Sequence, residues 1–101
     1  VAPERVRLDL NDSGFQEEFF SLTKEQQVSV LGTLGKLSKM TWDQVYRDPG
    51  LKWEAVTFRR GPKGLRLYTF RVGRAFRAVA YREGSWLKIL SLHPDHDSAY
   101  H

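Results

Sequence analysis

The chain contains no cysteine, which excludes disulfide frameworks, thiolate metal sites and cysteine nucleophiles. That absence fits a reducing compartment, and a cytoplasmic location is the expectation. No apolar run approaches the ~20 residues that a membrane-spanning helix needs. No secretory leader is visible either, because Val1 to Asn11 alternates charged and apolar residues instead of forming an apolar block. The chain opens on Val1 rather than Met, which leaves room for a processed product or an excised fragment. It has no internal repeat, low-complexity tract or linker. Its 101 residues are therefore read as a single domain, 1–101, with one modest core.

Acid is also scarce in one place. Between Arg59 and Lys88, nine Lys or Arg residues stand against a single acid, Glu83. The segment before carries nine acids and seven bases, and the tail after it adds Asp95 and Asp97. A net charge of +4 and a pI near 9.6 thus conceal a local excess of about +8. Such a field suits nucleic acid or an acidic protein as partner.

Periodicity gives the elements. Val6, Leu8 and Leu10 alternate with Arg5, Arg7 and Asp9, a short strand with one buried face. Ser13 with Gln16, Thr23 with Gln26, and Thr41 with Gln44 fit the capping-box pattern at three helix starts. Phe15, Phe19 and Leu22 share a face of the first helix. Val28, Leu31, Leu34 and Leu37 share a face of the second, placed at about Lys24 to Met40. Gly32 and Gly35 weaken that helix by roughly 1 kcal/mol each, and close packing against the first helix is the expected reason for them. Trp42 to Arg47 reads as one further helical turn, Leu51 to Phe58 is ambiguous, and Arg59 to Gly64 reads as a basic turn. Strands follow at about 65–72, 75–82 and 86–92, joined by short Gly-containing turns that imply antiparallel hairpins. The expected architecture is α+β: an N-terminal strand, an αα-hairpin and a three-stranded antiparallel meander, with the helices on one sheet face. The three tryptophans are expected in the core or at its edge.

Alternation then assigns faces. Tyr68, Phe70 and Val72 oppose Leu67, Thr69 and Arg71, while Phe76, Ala78 and Ala80 oppose Arg77, Val79 and Tyr81. With helices over the more apolar faces, Arg71 and Arg77 look out on the open side. Whether His93 joins them depends on where alternation breaks near Pro94. A guanidinium at Arg77 suits stabilisation of charge developing on a phosphate, or simply a solvated sheet arginine. His93 and His96 have the right ordinary pKa range for a general base and acid; the plainer roles are ending a strand and capping a turn. Tyr100 offers a face for stacking an unpaired base, or packs on the domain. Arg59, Arg60, Lys63, Arg71 and Arg74 are candidate phosphate contacts. His93, Asp95, His96 and Asp97 could in principle ligate a metal, but such close spacing lacks a distant third ligand, and no metal or other cofactor is assigned.

Over Tyr68 to Tyr81 and Leu90 to Tyr100 the chain resembles the RelE/ParE superfamily of toxins from type II toxin–antitoxin systems. The matching features are Phe76-Arg77 at the start of the second meander strand, Arg71 in the preceding strand and an aromatic, Tyr100, after the last. The resemblance implies a RelE-like fold and metal-independent cleavage of mRNA on the ribosome, opposed by a cognate antitoxin protein. With it, the catalytic set is read as Arg77 stabilising the phosphate, His93 or His96 moving protons and Tyr100 holding a base. The ParE branch implies instead a non-enzymatic DNA gyrase inhibitor, and a degenerate toxin would retain antitoxin binding alone. Where many ribosome-dependent members carry a Lys/Arg cluster before the C-terminal tyrosine, this chain has Pro94-Asp95-His96-Asp97.

Overall fold

The computed structural model describes residues 3–95. In chain order the elements are β1 (Arg7–Asp9), α1 (Ser13–Ser21), α2 (Lys24–Ser38), α3 (Trp42–Arg47), β2 (Glu54–Arg60), a 3₁₀ turn (Pro62–Gly64), β3 (Arg66–Gly73), β4 (Phe76–Glu83) and β5 (Trp86–His93). The strands make one five-stranded sheet ordered β1-β5-β4-β3-β2. β1 runs parallel to β5, and the remaining pairs are antiparallel. The α+β class agrees with expectation, as do the N-terminal strand, the two helices and the meander.

The expected element order needs correction, because α3 is a separate helix and β2 was not foreseen. Of the seven residues of β2 only Val56 is buried, so the strand carries no period-two signal. It also absorbs Arg59 and Arg60, the first two residues of the expected basic turn.

Local capping explains where the helices start. Thr23/Gln26 and Thr41/Gln44 form the expected reciprocal capping boxes. The start of α1 differs: Asp12 is the N-cap, its carboxylate accepting from the Phe15 amide at 3.0 Å. Gln16 instead donates to the Leu10 carbonyl at 2.8 Å. A carboxylate outcompetes the Ser13 hydroxyl for this place because the amide bond to it is charge-assisted.

The buried stripe of α2 is Val30, Leu34 and Leu37, not the one beginning at Val28. Val28 and Leu31 are exposed, at 64% and 57%. Gly32 and Gly35 are also exposed, and a Cβ built on either meets nothing within 4 Å. Close helix packing therefore does not explain them, and nothing else in the structure does.

Between helices and sheet lies the main core, with Val30, Leu34, Leu37, Trp42, Val45 and Leu51 against Phe70, Phe76, Ala78, Ala80, Leu87, Ile89 and Leu92. The opposite sheet face holds a smaller cluster of Val56, Leu67, Val79 and Tyr81, with Leu65 and Leu90 packed on it. Trp42 is buried, and Trp53 stacks on Tyr68 at 4.8 Å. Trp86 departs from expectation: it is 42% exposed and lies under the Arg7 guanidinium. Among the described residues no helix is long and apolar enough to cross a membrane.

The link from α3 to β2 is fastened by Asp48. Its Oδ1 accepts from the Gly50 and Leu51 amides at 2.7 and 3.1 Å, and its Oδ2 pairs with Lys36 at 3.0 Å. These contacts, the Lys36 bond foremost, hold its carboxyl below the usual range. We expect Asp48→Ala to lower stability by about 1–2 kcal/mol, read as a reduced urea midpoint. A loss below about 0.3 kcal/mol would show that this link carries no stability.

Candidate nucleic-acid interface

Register places three of the predicted residues in one line. Arg71 pairs with Arg77 across β3 and β4, and Arg77 pairs with His93 across β4 and β5. Directly opposed residues of an antiparallel ladder project from the same face. Arg71, Arg77 and His93 therefore form a row on the face away from the helices.

His93 reaches that face through a β-bulge. Val79 pairs with Ser91 while its neighbour Ala80 pairs with Ile89, leaving Leu90 as the extra residue. Uninterrupted alternation would have put His93 beside Leu87 and Ile89, in the core. The break comes at Leu90, not near Pro94. Because of it Ile89 and Leu92 both pack on the helix side, while Leu90 joins the smaller cluster.

Arg77 is on the expected face but not on an open surface, since its exposure is only 3%. Its Nη2 donates to the Thr69 hydroxyl at 2.8 Å and to the Lys52 carbonyl at 3.0 Å. Glu54 Oε2 lies 3.8 Å from the same nitrogen. The Nε is buried with no hydrogen-bond partner among the described residues. A guanidinium bound in this way cannot offer a two-nitrogen edge through Nη2 without releasing Lys52 or Thr69. It supplies fixed positive charge from beneath the surface, whereas half-buried Arg71 retains access to solvent. Two arginines directly opposite repel one another, and Glu54 offsets part of that cost.

The imidazole of His93 is half-buried, with Nε2 2.8 Å from the Ser91 hydroxyl. Burial lowers its pKa below the ordinary 6.5; Glu18 opposes that shift and Arg59 adds to it. At neutral pH the ring is therefore uncharged and able to accept a proton. Glu18 comes from α1, where its carboxylate also accepts from the Leu92 amide at 2.8 Å. That amide lies beyond Trp86–Lys88, the part of β5 that pairs with the short β1.

The other candidates divide between the two ends of β3. Arg59, Arg60 and Lys63 are exposed at its start and Arg74 at its finish, roughly 25 Å away along the strand. Lys63 is paired with Glu83 at 3.2 Å. Arg59, Arg60, Arg66, Arg71 and Arg74 form no ion pair among the described residues. The structure thus unites Arg71, Arg77 and His93, brings the charge of Arg59 to bear on His93, and leaves Lys63 and Arg74 apart. His96 and Tyr100 lie outside the described residues. Among the described residues no group of three or more His, Cys, Asp or Glu could hold a metal; His96 and Asp97 of the segment considered above fall outside them.

Sequence reasoning missed Ser91, Thr69, Glu54 and Glu18 as partners of this row. Thr69 and Ser91 carried a usable signal, being two residues from Arg71 and His93 on strands of period two. Glu18 and Glu54 carried none, because their proximity depends on how α1 and β2 dock. No protein-family model, curated protein or solved structure matches this chain.

Proposed function

We propose that the chain is a RelE-like toxin of a type II toxin–antitoxin system, with a RelE-like fold, acting as a metal-independent endoribonuclease on ribosome-bound mRNA. The observation that carries this reading is the Arg71–Arg77–His93 row, which puts a histidine with an uncharged imidazole on the same sheet face, and in register, with two arginines. In the proposed step His93 accepts the proton of a ribose 2′-OH. The 2′-oxygen bonds to the adjacent phosphorus as the bond to the 5′-oxygen breaks, giving a 2′,3′-cyclic phosphate. The departing 5′-oxygen takes a proton from an acid, for which His96 is the candidate, and Tyr100 holds a base. Arg71 contacts the phosphate and Arg77 supplies background charge, both favouring the more negative transition state.

The same reading assigns the cognate antitoxin to the outer helix face. There Phe20, Val28 and Leu31 are exposed, and a mostly apolar cavity of about 390 Å³ is lined by Leu10, Phe15, Phe19, Phe20, Leu31 and Leu34 together with Gln16. Induction of the chain without antitoxin is expected to arrest growth, and primer extension to find new 5′ ends inside coding sequences. Intact transcripts with linearised plasmid would replace this reading by a gyrase inhibitor. Antitoxin binding without toxicity would indicate a degenerate toxin.

A further inference from the structure

The end of β2 departs from regular pairing. Val56 pairs with Leu67 and Arg60 with Arg66, so Thr57, Phe58 and Arg59 bulge from the ladder with no residue opposite them on β3. All four residues Thr57–Arg60 are exposed. Phe58 is 56% exposed and makes no ring or cation–π contact among the described residues. It adds nothing to either hydrophobic cluster. Around it stand Arg59, Arg60 and Arg66, none of them neutralised by an ion pair among the described residues.

This combination selects between two polyanions. An acidic protein strand adding to the edge would need a continuous row of outward amides and carbonyls. The bulge interrupts that row within β2. Single-stranded nucleic acid needs no ladder; it needs cations spaced along a backbone and an aromatic face for a base. We propose that Phe58 is a stacking platform for an unpaired base of single-stranded RNA whose flanking phosphates are held by Arg59, Arg60 and Arg66. The bulge supplies the geometry, freeing the ring from the sheet. Arg59 connects this lip to the row, since its charge acts on His93. The inference rests on the RNA-directed reading above and extends it to a base-contacting subsite.

The test uses the full chain and an unstructured oligoribonucleotide of roughly 10 nucleotides with 2′-O-methyl sugars, which cannot be cut by 2′-OH attack. Polyphosphate and polyglutamate of matched charge serve as comparison ligands. Wild type is expected to bind the RNA more tightly than either. Phe58→Ala should weaken RNA binding about tenfold, leave polyphosphate binding unchanged and leave the salt dependence intact. Phe58→Trp should retain affinity and show fluorescence quenching by the RNA. Arg59→Ala should weaken both RNA and polyphosphate and reduce the salt slope by about 0.7.

RNA binding that survives Phe58→Ala unchanged overturns the stacking role and leaves the RNA reading standing. Equal affinity for RNA and polyphosphate removes any base contact at this site. Tighter binding of polyglutamate would assign the lip to an acidic protein. Absence of RNA binding by wild type overturns the RNA reading together with the inference. Because Phe58 is largely exposed, its substitution leaves the core intact, which coincident unfolding curves would verify.

Discussion

Arg77→Ala is expected to lower the free energy of unfolding by about 3 kcal/mol. The guanidinium joins Thr69 on β3 to the Lys52 carbonyl at the entrance to β2. Hydrogen bonds to a charged group contribute about 1.5–3 kcal/mol each, and truncation leaves a buried hydroxyl and a carbonyl unsatisfied. Relief of the desolvated charge and of the unpartnered Nε offsets part of this loss. Arg77→Met, which fills the space without a donor, should fall between wild type and Ala; Arg77→Lys should recover part of the bonding. With a urea dependence near 2 kcal/mol/M, the Ala variant loses about 1.5 M from its midpoint. Hydrogen exchange should quicken at Lys52 to Glu54. A midpoint shift below about 0.3 M would mean that the anchor does not hold β2 in place. Under the toxin reading proposed above, loss of toxicity in Arg77→Ala would therefore not by itself identify a phosphate contact. Arg71→Ala isolates that role, because Arg71 is not buried.

Under the nuclease reading proposed above, His93→Gln is expected to reduce RNA cleavage by about 10²–10⁴-fold, the range for removal of a general acid or base. Its pH signature separates a proton-transfer role from a packing role. Burial is the main cause that lowers the His93 pKa below 6.5; Arg59 adds to the lowering, and the Glu18 carboxylate partly restores it. The unfolded chain therefore takes up the proton first as pH falls. In that interval the unfolded state binds more protons than the native state, so stability rises with pH. The contribution of neutral His93 is intact above pH 6.5 and is lost as pH drops through the lowered native value. His93→Gln should flatten this part of the stability profile and also remove the acidic limb of the cleavage profile. Arg59→Ala should raise the pKa and shift that limb towards higher pH, while Glu18→Gln should shift it lower. An unchanged cleavage rate in His93→Gln would exclude the residue as base. A persisting stability slope would assign the titration to another group.

How much of this was legible in the sequence differs from element to element. Thr23/Gln26 and Thr41/Gln44 announced two helix starts because capping is a contact within four residues, set by local geometry. The meander was equally plain, since period-two alternation and short turns require no knowledge of distant packing. β2 was hidden because it is an edge strand with a single buried residue. The α2 stripe was misplaced because an apolar residue can lie on either side of a helix until its docking partner is known. The reading of Gly32 and Gly35 failed for the same reason: small residues permit close approach but do not bring it about.

For the candidate site, the residue types and their nearness along the chain came from the sequence alone. So did the concentration of cations between Arg59 and Lys88. Tertiary structure decided what those cations can do. Pairing across three strands aligned Arg71, Arg77 and His93, and one extra residue at Leu90 turned His93 out of the core. Docking of the Lys52 carbonyl buried Arg77, and the bulge in β2 released Phe58. Each of these outcomes rests on contacts between distant segments. Charge and periodicity are additive properties of a local window, whereas register and burial exist only once the segments meet.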